Sequence, residues 1–403
     1  MLKKENYYKE NAWWASPYND EPEVRDGMAI ADKVEIHDAT LRDGEQTPGV
    51  VFSVDDKIRI AEMLSEAGVE RIEAGMPAVS KVDYEAVKKI SRLNLPSKIF
   101  VFSRAMEIDI NMAVESGAQG VVIEVPIGYP KLKHQFHWTW EDVLEKSIAS
   151  INYAKKQGLY TVYFPYDTTR ARYEDLVNLM DGIMKYSPPD SVGVVDTVGC
   201  ALPETIKYLV RKMKKLTGGL PIEVHTHNDF GMGVATEIAG VAAGAEVIHS
   251  CVNGLGERTG NAATEELMVA LKIMMGINHH YKLDKLMDLC KMVEEISGVK
   301  LAENKPISGA RNYVRESGIG IDLVLKNPLA MFATDPKHFG RTGEIVLGKK
   351  SGKASVDYFL DKLNIQVSEQ AIDGILDQVK KMGTEKKGLV TLEEFQHIVE
   401  EYK

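Results

Sequence analysis

Cysteine is scarce in this chain: Cys200, Cys251 and Cys290 are the three among 403 residues, and they lie far apart. A disulfide framework or a thiolate zinc site needs more sulfur at closer spacing, so both are excluded and a reducing cytoplasm is the expected compartment. Positive charge is also short. The formal net charge is −10, which argues against a nucleic-acid-binding surface and for a small-molecule or protein partner. No apolar run reaches membrane length and no signal peptide is evident, so no membrane partner is expected. No glycine-rich dinucleotide fingerprint follows the first strand pattern.

What is present is ordinary globular composition, 44% hydrophobic and 27% charged, enough for one large domain and a smaller one. An aromatic arm (Tyr7, Tyr8, Trp13, Trp14) opens residues 1–32 and is expected to pack on a neighbouring surface. From about 33 to 277 short β-branched runs alternate with helix-period segments. The runs are Lys33–Thr40, Val69–Met76, Lys98–Ser103, Gly120–Pro126, Tyr160–Tyr166, Ser191–Asp196, Pro221–His227 and Glu246–Asn253. Eight near-continuously apolar strands separated by helices predict an α/β fold with an all-parallel sheet, a (β/α)8 TIM barrel of roughly 250 residues. A doubly wound open sheet is the alternative. Helices are expected over Val54–Ala67, capped by Gly68, and over Ile108–Glu115, Trp140–Lys156 and Ala262–Met275. Residues 278–403 read as a smaller, mainly helical appendage, with helices over Lys282–Gly298, Ala354–Leu363, Glu369–Met382 (capped by Gly383) and Leu392–Glu400. The aperiodic stretch Lys305–Gly352 is too long for a passive loop.

Barrels of this kind place their chemistry at the C-terminal strand ends. Here the first strand runs into HDATLRDGEQ (His37–Gln46), whose charges would be costly to bury unpaired. Later strand ends carry Glu73, Arg104, Glu124, Tyr166-Asp167, Asp196-Thr197 and His225-Thr226-His227. Residues two apart on a strand share a face, so His225 and His227 can reach one metal ion. Asp43 is the carboxylate best placed to complete the site. Nitrogen and oxygen ligands suit Mg²⁺, Mn²⁺ or Zn²⁺. Arg42 would stabilise an oxygen that becomes negative during reaction, and the Thr197 hydroxyl could hold a substrate carboxylate. Arg104 is a further substrate-binding candidate. Asp38 and Glu73 are either supporting groups or bases, and a structural pairing with arginine is equally open.

The stretch HDATLRDGEQTPGVVF resembles the signature of the DRE-TIM metallolyases, and within them the homocitrate, isopropylmalate and citramalate synthases. VVDTVGCALP, VHTHNDFGMGVA and VNGLGERTGNAATEEL are similar to further motifs of that group, and the likeness continues through ESGI near 316 and VLGKKSGKA near 346. The resemblance implies a divalent metal held by Asp43, His225 and His227, with Asn261 as a further ligand. It also implies that Arg42 contacts the keto oxygen of a 2-oxo acid and Thr197 its carboxylate. The implied reaction is a Claisen-type condensation with an acyl-CoA, acetyl-CoA in this group, in a homodimer whose appended segment reaches the partner's site. Catalytic roles then fall to Arg42, Glu73 and Asp167.

The chain departs from the pattern on the acyl-donor side. Tyr166 replaces the glutamate before Asp167, Gly320 stands for a histidine, Met331 lies where a tyrosine is expected, and Lys350 replaces another histidine. Losing a general base costs roughly 10²–10⁴-fold. Tyr166, Asp167, Lys131, His134 and Arg315 are possible substitutes. A related metal-dependent lyase cleaving a 2-hydroxy acid is the second enzymatic expectation, and a catalytically weak regulatory barrel the third. A feedback-inhibitor domain of the long isopropylmalate synthase kind is not expected.

Overall fold

The computed structural model describes residues 7–277 and 280–403. The first residues of the N-terminal arm and the 277/278 boundary therefore lie partly outside the described residues. Contacts divide the chain into two compact units, residues 19–301 and residues 1–18 with 302–403.

The larger unit is the expected closed parallel barrel. Its strands are β1 (Glu35–Asp38), β2 (Arg71–Glu73), β3 (Lys98–Ser103), β4 (Gly120–Pro126), β5 (Tyr160–Tyr166), β6 (Ser191–Asp196), β7 (Ile222–Thr226) and β8 (Val247–Ser250), with β8 hydrogen-bonded back to β1. Closure excludes the open doubly wound sheet. Strands β3 to β6 match the sequence reading end to end, whereas the other four are shorter than expected. Between and after the strands come α1 (Val54–Ala67), α2 (Lys81–Ile90), α3 (Glu107–Glu115), α4 (Trp140–Lys156), α5 (Tyr173–Tyr186), α6 (Pro203–Leu216), α7 (Gly233–Ala242) and α8 (Thr264–Val269). A capping box of Ser53 and Asp56 starts α1, and Gly68 ends it at φ 106°, a conformation glycine adopts without a Cβ penalty. The last barrel helix begins as expected but passes into a π-type turn at Ala270–Met274. Helix α9 (Leu286–Ser297), read from sequence as part of the appendage, packs against α1 and belongs to the barrel unit.

Period two along the strands fills the barrel interior. Phe100, Val122, Val162, Phe164 and Val195 form its apolar cluster. Two glycines make room for the rings: a Cβ on Gly120 would lie 2.2 Å from the Phe100 ring, and one on Gly193 would lie 2.4 Å from Phe164. Beneath this sits a buried ionic layer in which Arg71 binds Glu35 and, at 2.9 Å, Glu223. Buried charges are tolerated only when paired this completely.

In the smaller unit α10 (Lys353–Lys362), α11 (Glu369–Lys386) and α12 (Leu392–Glu400) enclose a core that includes Phe359, Ile375, Val379, Phe395 and Val399. Helix α11 does not stop at Gly383. That glycine lies inside the helix, where a Cβ would come 2.7 Å from the Lys349 backbone nitrogen, so it serves close approach rather than capping. The arm forms a two-stranded ribbon, Tyr8–Lys9 with Trp13–Trp14. It packs as expected, with the Trp14 amide bonded to the Ala333 carbonyl and the Trp13 ring against His338. Two of the positions that depart from the synthase pattern meet here. Gly320, at φ 83°, leaves the space that the Met331 thioether occupies, since a Cβ would lie 3.0 Å from its sulfur. Lys350 is likewise accommodated, its amide and ammonium both directed to Glu316.

Candidate active site

Barrel closure brings the ends of β1 and β7 to one point. The Asp43 carboxylate is buried there, with Oδ2 3.2 Å from Nε2 of His225 and 3.7 Å from Nε2 of His227. Asn261 joins them through the loop after β8. A bridge pairs it with His227, and its amide nitrogen donates to the Leu255 carbonyl at 3.0 Å. Glycine is required in this loop: a Cβ on Gly260 (φ 80°) would overlap the Gly254 carbonyl oxygen at 1.7 Å. Among the described residues Asp43 Oδ1 and Asn261 Oδ1 are buried without any hydrogen-bond partner. An orphaned carboxylate oxygen beside two imidazoles is what a divalent cation would satisfy, so Asp43, His225 and His227 fit the implied metal, and the orphaned Asn261 oxygen is of a kind that could join them. Burial alone would raise the Asp43 pKa, but Arg42 and the two imidazoles hold it well below the usual carboxylate range. Burial pushes His225 down and His227 down to about 4, which leaves both rings neutral with lone pairs free to ligate.

Arg42 is fixed at the same point. Its Nε donates to Glu73 Oε1, its guanidinium lies 4.5 Å from the Phe102 ring centroid, and Nη1 is 3.6 Å from Asp43 Oδ2. Glu73 is buried and also faces His37 Nε2 at 3.1 Å. Despite desolvation, Arg42 and His37 bring its pKa down to about 2, so it stays anionic and clamps the arginine. Behind it the His37 and His249 rings stack at 4.2 Å and 12°, and His249 Nε2 meets Glu223 at 2.9 Å. Glu73, His37 and His249 form a second cluster of metal-ligand types. Near-parallel stacked rings aim their in-plane lone pairs side by side rather than at one centre, and each Nε2 already has its own carboxylate. We read that cluster as a support beneath Arg42: the pairing of Glu73 with an arginine is one of the alternatives the sequence left open, whereas the His37–His249 stack has no counterpart in it.

The other candidates separate. Thr197 lies at the mouth, its hydroxyl oxygen accepting the Asp167 amide at 2.9 Å and its carbonyl accepting Arg258 at 2.7 Å. Asp167 sits at φ 62°, buried, with both oxygens 2.8 Å from the Arg170 fork. Gly128 permits this placement, since a Cβ there would lie 2.1 Å from Asp167 Oδ2. Arg104 is not brought in: its guanidinium closes on Asp109 at 2.9 and 3.0 Å and its side chain is 54% exposed. Asp38 is tied to the Thr40 amide and, at 2.6 Å, to the Thr264 hydroxyl, with its pKa raised to about 6 by burial.

Comparison with known proteins agrees with this geometry. The HMGL-like family model matches residues 33–293, and the homocitrate synthase post-HMGL domain-like model matches 307–387. The chain belongs to the HMGL-like family. Homocitrate synthase AksA of Methanocaldococcus jannaschii is 38% identical over 97% of this chain and 95% of its own length. A probable 2-isopropylmalate synthase of Ignicoccus hospitalis is 36% identical over 89% of this chain and 92% of its own length. The (R)-citramalate synthase CimA of M. jannaschii is 38% identical over 87% of this chain and 71% of its own length. Among solved structures, a Bacillus subtilis HMG-CoA lyase superposes with a TM-score of 0.59 at 23% identity, over 68% of this chain and 97% of that one; this concerns the fold alone. The reading as a DRE-TIM metallolyase of the synthase group, and as an enzyme, therefore holds. Among the described residues no helix is long and apolar enough to cross a membrane.

Proposed function

We propose that this HMGL-like protein condenses the acetyl group of acetyl-CoA with a 2-oxo acid, giving a 2-hydroxy di- or tricarboxylate and free CoA. Synthases of 2-hydroxy acids at 36–38% identity over most of the chain support the reaction class. The observation that carries the residue roles is the convergence of Asp43, His225, His227 and Arg42 on one buried point.

In this reading Asp43, His225, His227 and Asn261 hold the metal, which when bound polarises the keto group of the oxo acid. Arg42, its Nε committed to Glu73, keeps its remaining N–H groups for the keto oxygen, where negative charge develops. The Thr197 hydroxyl accepts a backbone hydrogen bond and so has its own proton to give to the substrate carboxylate. Glu73 acts by holding Arg42 in register. Asp167, with both oxygens on Arg170, shapes the strand end that presents Thr197. Arg104 receives no role in substrate binding. The homodimer is carried as part of the proposal, as is a reducing cytoplasmic location, with which three cysteines joined by no disulfide among the described residues agree.

The test is thiol release. The purified protein with Mg²⁺ or Mn²⁺, acetyl-CoA and a panel of 2-oxo acids is expected to liberate CoA with at least one acid. If none reacts while a 2-hydroxy acid is cleaved, the lyase reading replaces this one. Sedimentation as a monomer at micromolar concentration would overturn the dimer.

A further inference from the structure

The acyl-donor side of the site lacks the base expected of a synthase, and most carboxylates near it are occupied. Glu73 is fixed by Arg42 and His37, and Asp167 by Arg170. Asp43 faces the two imidazoles. One carboxylate differs. Glu124 lies on β4 two residues after Val122, whose side chain is part of the interior cluster, so period two turns Glu124 into the barrel one layer higher, at the mouth. Among the described residues its carboxylate makes no hydrogen bond or ion pair with another side chain. Two further groups share its side of the mouth: the Lys131 ammonium, 5.9 Å from the Tyr166 ring centroid, and the Tyr166 hydroxyl, which has no hydrogen bond among the described residues. Glu124, Lys131 and Tyr166 are all half-buried, so this inward carboxylate is open to a molecule entering the mouth and is not held by a neighbouring cation as Glu73 and Asp167 are.

We propose that Glu124 is the general base of this enzyme, taking a proton from the acetyl-CoA methyl group. This rests on the condensation reading above. The carboxylate removes the proton, and the C–H electron pair becomes the enolate double bond as the thioester carbonyl electrons move to its oxygen. The enolate carbon then bonds to the keto carbon of the oxo acid, whose carbonyl electrons move to the oxygen facing Arg42. The proton on Glu124 ends on that oxygen, which regenerates the carboxylate. Water then adds to the thioester, the C–S bond breaks and CoA leaves as the thiol.

The charges around Glu124 suit the role. They are Arg42 and Asp43 from the loop after β1, Glu73 from β2, Lys131 from the turn after β4 and Tyr166 from β5. Burial raises its pKa, Arg42 and Lys131 oppose the rise, Asp43 and Glu73 add to it, and the result is about 7. A carboxylate there is far more basic than an ordinary one and still substantially ionised at neutral pH. Tyr166 does not compete, because burial and then Glu124 push its phenol up, so it stays protonated and cannot serve as the base.

The test compares Glu124→Gln and Glu124→Ala with the wild type, using acetyl-CoA, its trideuteroacetyl form and whichever oxo acid the wild type accepts. We expect kcat to fall roughly 10²–10⁴-fold in Glu124→Gln. The KM of the oxo acid should stay within about threefold, the deuterium isotope effect should grow, and formate should partly restore Glu124→Ala. Wild-type kcat/KM should climb with pH through about 7 as the base ionises, and Glu124→Gln should lose that limb. Turnover within threefold of wild type in Glu124→Gln overturns the base assignment and leaves the condensation reading intact. Loss of turnover together with bound Mn²⁺ or a large fall in melting temperature overturns it as well, because Glu124 would then be part of the scaffold. A wild type that releases no thiol with any acid overturns both.

Discussion

The two sides of the barrel mouth are built on opposite terms. On the β1/β7 side the charged groups are paired with one another, Arg42 with Glu73, Glu73 with His37, and the two imidazoles with Asp43, whose second oxygen is left without a partner among the described residues. On the β4/β5 side the side chains of Glu124, Lys131 and Tyr166 lie together without a hydrogen bond to another protein group among the described residues. Ion-paired side chains hold their geometry before substrate arrives, which suits a metal and a developing negative oxygen. Unpaired ones are left free to exchange protons. On the reading proposed above, one barrel separates gripping from proton transfer.

The largest effect should come from breaking the paired side at its centre. Asp43→Ala and His227→Ala are expected to elute from gel filtration without stoichiometric Mn²⁺ and to lose about 10³-fold or more of kcat/KM, since loss even of an outer partner of a metal ligand costs roughly 10–100-fold. Retention of metal by both would remove the ligand assignment. Next is Glu73→Ala, which leaves Arg42 facing Asp43 without its clamp. Removing one member of a buried ion pair costs about 3–5 kcal/mol, so denaturant unfolding should shift by that amount. A change below about 1 kcal/mol would mean that Glu73 is not what positions Arg42.

A smaller effect is expected where packing alone is at stake. Gly120→Ala drives a methyl group into the Phe100 ring, itself held in the interior cluster below Arg42. Overpacking of this kind costs typically about 1–3 kcal/mol. The loss should appear in stability, with the KM of the oxo acid little changed.

How far the sequence disclosed these features depended on whether they are local. Strands Lys98–Ser103 and Gly120–Pro126 were legible because their apolar runs end at clear turn signals. His225 and His227 were legible because period two is a property of any strand. Gly383 was misread because a helical glycine that admits a neighbouring backbone looks the same as one that ends a helix. The His37–His249 stack joins residues far apart in the chain and follows from barrel closure. Glu124 was visible as a strand-end carboxylate, but only the pairing of Glu73 and Asp167 elsewhere singles it out.

Arg104 gives the smallest expected effect. It follows the last residue of β3 as a charged strand-end residue, so sequence alone recommends it as a substrate-binding cation, although Glu73 on β2 pairs in register with Phe100 rather than with Arg104. The structure instead shows both ends of its fork on Asp109, at the start of α3, with more than half of the side chain in solvent. Exposed ion pairs contribute about 0–1 kcal/mol. Arg104→Gln should therefore leave the KM of the oxo acid within about threefold and barely move the melting temperature. A tenfold or larger rise in KM with kcat unchanged would show that the arginine leaves Asp109 when substrate binds. The polar mouth would then extend to β3, and the unpaired side would carry a second cation for the acid's distal carboxylate.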